Sequence, residues 1–299
     1  MYASTIQTAE ILYATDFSEP ARRALACARQ IARRRRVLLR ALHVIELMGH
    51  SSGSTHASFN AAIEGARRRM RIMRRELRLA GINEDSTIIP AGSISLAIRD
   101  AIVRYHCTML VMGLHGEPGL TVPTFGGNVR RLFRTAPCPI LTVGLRGPSS
   151  DEPALQRVLF VTDMFADSVT AARQAWPIDG AATPVAHFAV LPPEDAPDSS
   201  STLEPPPGLA ALRIVAHEQA ARLIVAQAEE NHADLVVVAM RGNGYLDTLA
   251  SGSVIRAILS KAPCPVLTAR AAGEPLPPLH ERFAAVRDRH PEESEGASG

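Results

Sequence analysis

Residues 233–269, ADLVVVAMRGNGYLDTLASGSVIRAILSKAPCPVLTA, align without a gap on residues 107–143, CTMLVMGLHGEPGLTVPTFGGNVRRLFRTAPCPILTV. Two more pairs extend the match. QRVLFVTDMFADS falls on AEILYATDFSEP, with Asp163 on Asp16, and the strand segment TPVAHFAV matches the one in LLRALHVI with His187 set on His43, one residue out of step with the segment starts. Such self-similarity means duplication. A chain of 299 residues has the length for two ordinary domains, each with its own core.

Within the first copy, apolar strands alternate with amphipathic helices. AEILYATDF reads as a buried strand ending in polar residues. SEPARRALACARQIARRRR opens with a Ser cap and an early Pro, and sets Ala24, Ala28 and Ile31 at helical spacing. The strand VLLRALHVIE follows, then a long helix HASFNAAIEGARRRMRIMRRELRLAG stopped by Gly81, the strand DSTIIPAG, the helix SISLAIRDAIVRYHC and the strand TMLVMG. A glycine-rich loop leads to the helix NVRRLFRTAP and the last strand CPILTVG. This alternation predicts an α/β fold: two tandem, doubly wound, mainly parallel sheets with strand order 3-2-1-4-5.

The copies are unequal. LPPEDAPDSSSTLEPPPG, Leu191 to Gly208, stands where the first copy has a helix, and its prolines forbid a regular one. The second domain is therefore expected to lack one covering helix. The expected boundaries are 1–146 for the first domain, 147–153 (GPSSDEP) for a linker, 154–270 for the degenerate second domain, and 271–299 for a disordered tail around a short helix.

Composition narrows the function classes. No run of about 18 uninterrupted apolar residues offers a membrane span, and MYASTIQTAEILYATDF has no basic segment ahead of an apolar core. A soluble, cytoplasmic protein with no membrane partner is the expectation. Cys27, Cys107, Cys138 and Cys264 are widely spaced, without a CxxC pair, and read as buried thiols rather than a disulfide or zinc framework. Lys261 is the one lysine against 31 arginines, which leaves no Walker lysine in the first half. Charge is divided unevenly: residues 1–148 carry 21 Arg against 10 acids, and residues 149–270 carry 8 basic residues against 14 acids. Attraction between the halves, or across a homodimer, follows from that division.

The loop after TMLVMG poses the functional question. In an open α/β sheet, ligands sit beyond the C-terminal strand ends where the strand order reverses. With order 3-2-1-4-5 that point lies between the first and fourth strands, so Asp16 and Gly113 face each other across one crevice. Gly126-Gly127 then starts a helix whose free N–H groups and positive dipole end favour anions. Glycines between strand and helix are also ordinary punctuation. The second copy keeps Gly242 and Gly252-Ser253 at the same ten-residue spacing.

Three features together resemble the universal stress protein family over nearly the whole chain to about residue 270: ATDFSEPA at 14–21, the glycine pattern G-x2-G-x9-G-(S/T), and APCP(I/V)L at 136–141 and 262–267. The resemblance implies an adenine-nucleotide alpha-hydrolase-like fold and a stress-response role through nucleotide binding, with ATP the leading ligand and Mg²⁺ entering with it, Asp16 being its candidate ligand. Carried onto the first domain, it implicates Ala14, Thr15, Asp16 and Val44 for adenosine. Met112, Gly113, His115, Gly116, Gly126, Gly127 and Asn128 are implicated for ribose and phosphates. Gly127 replaces the family's final Ser/Thr, and Pro118 and Pro123 stiffen the loop. On the second domain it gives Thr162, Asp163, Arg241, Gly242, Gly252, Ser253 and Val254. There Ala239 replaces the first motif glycine, where its Cβ would obstruct a phosphate, and Phe188 replaces Val44, where it would fill the adenine pocket. The family also implies an intramolecular pseudo-dimer with contact between Pro139–Val143 and Pro265–Ala269.

The other candidates read as structural. His43 and His187 lie on apolar strands; His115 lies in the loop and is better placed to touch a ligand. Arg67, Arg68, Arg71, Arg74, Arg75 and Arg78 share one helix, but 4% aromatic residues leave little to stack bases, so a solvated face is expected rather than nucleic-acid binding. No Ser-His-Asp set or G-x-S-x-G elbow is present, so no catalytic residue is assigned. A nucleotide-independent scaffold with relic glycine loops is the alternative function, and weak ATP hydrolysis at Asp16 the third.

Overall fold

The computed structural model describes residues 10–46, 56–114, 127–162, 166–176, 183–191, 202–203, 212–241 and 253–271. The first copy runs β1 (Glu10–Ala14), α1 (Glu19–Arg35), β2 (Leu38–Glu46), α2 (His56–Leu79), β3 (Glu84–Ala91), α3 (Ile94–Arg104), β4 (Cys107–Gly113), α4 (Gly127–Thr135) and β5 (Ile140–Val143). The second runs β6 (Arg157–Thr162), α5 (Ala166–Ala175), β7 (Thr183–Leu191), β8 (Thr202–Leu203), β9 (Leu212–Ala216), α6 (His217–Glu230), β10 (Leu235–Arg241), α7 (Ser253–Lys261) and β11 (Val266–Ala271).

The eleven strands among the described residues form one sheet, ordered β3-β2-β1-β4-β5-β11-β10-β6-β7-β9-β8. Each copy thus takes the expected 3-2-1-4-5 order, the second read in the opposite direction. Pairing is parallel except at β5/β11 and β8/β9. Helices α1, α2 and α5 bury their stripes on one face, and α3, α4, α6 and α7 on the other. Between β7 and β9 the described residues hold only β8, two residues long and antiparallel to β9, in place of a helix like α2. That small strand was not expected from the sequence.

Local chemistry explains where the helices begin and stop. Ser18 caps α1 in an extended conformation with its Oγ accepting from the Ala21 N–H (3.4 Å), and Pro20 fits the first turn. Arg36 ends the helix in the left-handed region (φ 53°), its N–H returning to the Ala32 carbonyl. In α2 the inward stripe is Ala66, Met70, Met73 and Leu77, while the arginines of that helix face outward or lie half-buried.

Two polar devices lock the sheet. At the N-terminal strand ends, Arg40 on β2 is 8% exposed, bonds both oxygens of Glu10 on β1 (2.8 and 3.3 Å), pairs with Asp85 on β3 and lies 3.8 Å over the Tyr105 ring. One guanidinium therefore ties three strands and the end of α3. At the seam, Ile140, Leu141 and Thr142 pair with Thr268, Leu267 and Val266. The Thr142 hydroxyl donates to the Val266 carbonyl (3.2 Å) and the Thr268 hydroxyl to the Ile140 carbonyl (3.3 Å). These residues are equivalent in the repeat, so the two bonds are images of each other. Arg146 adds bonds to Glu229 (2.7 Å) and the Lys261 carbonyl (2.8 Å), and Arg33 reaches Glu152 (3.1 Å).

Candidate functional site

The strand order reverses where β1 and β4 lie side by side, with Ala14 opposite Met112. The chain leaves β1 for α1 on one face and leaves β4 towards α4 on the other, which opens a crevice above the pair. Ala14 and Met112 are buried, and Val44 packs beside them, all on the α3/α4 face. Next to them the turn Thr15-Asp16-Phe17-Ser18 uses its own side chains. Thr15 donates its N–H to the Leu42 carbonyl (2.9 Å), its Oγ1 accepts from the Phe17 N–H (2.9 Å), and Asp16 Oδ1 accepts from the Ser18 N–H (2.9 Å). Asp16 is exposed, and its second oxygen has no partner among the described residues.

Tyr13 ties this turn to α1. Its buried hydroxyl donates to the Ala21 carbonyl (2.7 Å), and desolvation raises its pKa so that it stays neutral. Gly113 closes the far lip of the crevice. A Cβ there would stand 2.7 Å from the Ala21 nitrogen and 2.9 Å from the Pro20 carbonyl carbon. Its lack of a side chain is thus demanded by the N-terminus of α1, independently of any ligand. Gly127 opens α4 with nothing within 4 Å of a Cβ position, and Asn128 follows it half-buried. His115, Gly116 and Gly126 lie outside the described residues.

A family model described as the universal stress protein family matches residues 8–144 and again 154–270. The chain belongs to the universal stress protein family. Among solved structures it is similar to a universal stress protein from Archaeoglobus fulgidus DSM 4304, with TM-score 0.65 and 17% identity over 89% of this chain and 97% of that one. A putative universal stress protein from Pseudomonas aeruginosa UCBPP-PA14 gives TM-score 0.56 and 17% identity over 88% and 93%. At such identity the likeness is one of fold. No curated protein matches the sequence.

In the second copy of this universal stress protein, Thr162 ends β6 fully buried, and Phe188, 1% exposed, sits on the α6/α7 face as Val44 does on the α3/α4 face. Ala239 faces the other way, into the core under α5. Its methyl therefore points away from the start of α7, and the obstruction expected from it is not in the crevice. Val254 is a core residue of α7, able to offer only its backbone. Arg241 ends β10 and Ser253 begins α7; Asp163, Gly242 and Gly252 lie outside the described residues.

The remaining candidates have structural partners. His43 Nδ1 lies 2.7 Å from the Thr15 carbonyl. Arg74 and Arg78 both bond Glu84 (3.2 and 2.9 Å), and Arg67 bonds Glu64 (2.6 Å). Among the described residues, no group of three or more His, Cys, Asp or Glu could hold a metal, and no helix is long and apolar enough to cross a membrane.

The thiols of this universal stress protein are held protonated. Desolvation is the main cause that pushes Cys27, Cys107, Cys138 and Cys264 from 9.0 up to about 12. Iodoacetamide at pH 8 is expected to label none of them in the folded chain and all four in urea; native labelling of Cys138 would contradict the account. The sign of the pH effect follows. Unfolded thiols ionise near 9.0 and native ones only near 12, so the unfolded state binds fewer protons between those values. Stability present below pH 9.0 is lost as the pH rises towards 12.

Proposed function

We propose that this universal stress protein is a stress-response sensor that binds an adenine nucleotide, ATP first among them, in the crevice of its first copy. One observation carries the reading: at the strand-order reversal Asp16 is exposed, and while one of its carboxylate oxygens accepts from the Ser18 N–H, the other has no partner among the described residues. A free carboxylate oxygen is an acceptor for the hydroxyl or amine donors of an adenosine. Ala14, Val44 and Met112 supply an apolar floor on the same face. The first N–H groups of α4, which lack a partner within the helix, would suit phosphates. Thr15, Gly113, His115, Gly116, Gly126, Gly127 and Asn128 complete the proposed set, and Mg²⁺ enters with the nucleotide.

The second copy serves packing and regulation, since Phe188 lies wholly buried on the face that carries Val44 in the first copy. The two copies act as an intramolecular pseudo-dimer joined along β5 and β11. The reading is tested by thermal melting with millimolar Mg-ATP. Wild type is expected to melt several degrees higher with the nucleotide, and Asp16→Ala, whose unliganded melting temperature falls slightly with the loss of the bond to the Ser18 N–H, to show no such shift. Equal shifts in both proteins would remove Asp16 from the site.

The scaffold reading has its own support in Gly113, whose glycine identity is explained by α1 rather than by a phosphate. A wild-type protein unmoved by nucleotide would favour it.

A further inference from the structure

We infer that His43 is a positioning residue for the proposed nucleotide site, acting through the Thr15 carbonyl on the conformation of the Asp16 turn. The inference rests on the reading of the crevice given above. His43 lies on β2 between Leu42 and Val44, whose side chains belong to the α3/α4 face. By strand alternation His43 points to the opposite face, towards α1 and α2. It therefore stands behind the turn, not in the crevice, and has no route to the ligand except through the turn.

Three contacts make that route. His43 Nδ1 lies 2.7 Å from the Thr15 carbonyl oxygen, and a carbonyl can only accept. Nδ1 must then carry a proton, which in the neutral ring leaves Nε2 as the acceptor. The imidazole also packs on the Phe17 ring, with centroids 4.7 Å apart and a 41° tilt. From α2 the Arg69 guanidinium lies 5.6 Å from the same ring.

The need for such a brace is visible in the backbone. Phe17 has φ 64°, a left-handed conformation that is costly for a bulky residue and persists only where its surroundings impose it. His43 fixes the carbonyl before Asp16, and the ring stack fixes the residue after it. With both neighbours held and Oδ1 bonded to the Ser18 N–H, the second oxygen of Asp16 keeps one direction. In the sequence alignment of the copies Met164 stands where the first has Phe17, so the second has no aromatic residue at that position.

The test uses the full chain and Mg-ATP titrated by calorimetry. His43→Leu removes the donor and is expected to weaken binding about tenfold, the worth of one lost hydrogen bond. His43→Asn places an amide N–H where Nδ1–H stands and is expected to recover binding to within about threefold of wild type. Nitrogen-15 correlation spectra of the wild type should show the Nδ1-protonated tautomer of His43. Unchanged binding by His43→Leu, or an Nε2-protonated tautomer, would overturn the inference while leaving the nucleotide site standing. A wild type that binds no ATP would instead remove the site itself and this role with it. Should His43→Leu fail to fold, the tautomer and the His43→Asn titration still decide.

Discussion

Replacing Arg40 by Ala is expected to lower the unfolding free energy by about 3 kcal/mol, the low end for breaking a buried ion pair by removing one partner. The cost falls mainly on Glu10, whose side chain is 17% exposed and loses both its bonds. Asp85, at 48%, can turn to water. Tyr105 also loses the cation over its ring. The double replacement Arg40→Met with Glu10→Leu leaves no uncompensated charge and is expected to return to within about 1 kcal/mol of wild type. Urea denaturation with an unchanged slope measures both. A single variant as stable as wild type would mean that Arg40 does not tie the strands.

The second large effect is expected at Gly113. Gly113→Ala puts a methyl 2.7 Å from the Ala21 backbone nitrogen, so either α1 or the end of β4 must shift. A loss of about 2 kcal/mol or more is expected, since the obstacle is backbone and not the end of a flexible side chain. The equivalent position in the second copy already carries a methyl, buried under α5. Ala239→Gly is therefore expected to cost only about 1 kcal/mol, the usual price of glycine in a strand. If both substitutions were neutral, the close approach of α1 to β4 would be wrong.

These two residues also show what the sequence could and could not tell. The duplication, the alternation of strands and helices and the strand order were legible, because they depend on periodicity and on the match between the copies. Asp16 was legible as a strand-end carboxylate for the same reason. Gly113 was noticed, but as part of a phosphate loop. Its packing against Ala21, 92 residues away in the chain, arises only when β4 slides in beside β1 under α1. The role of Arg40 was not legible, since its partners Glu10 and Asp85 lie 30 and 45 residues away. His43 read as a satisfied strand residue, which it is, but the acceptor that satisfies it could not be named. The charge division between the halves was visible too. Its expression is local, in Arg33 with Glu152 and Arg146 with Glu229, while Arg67, Arg74 and Arg78 pair within the first copy.

The central claim is that the first copy alone binds an adenine nucleotide at the Asp16 crevice. The most direct test is mass spectrometry of the small molecule released when freshly purified, untagged protein is denatured, followed by calorimetric titration of the emptied chain with Mg-ATP. One equivalent of ATP or a related adenine nucleotide per chain, abolished in Asp16→Ala, is the predicted result. No released nucleotide together with no heat of binding at millimolar Mg-ATP would contradict it.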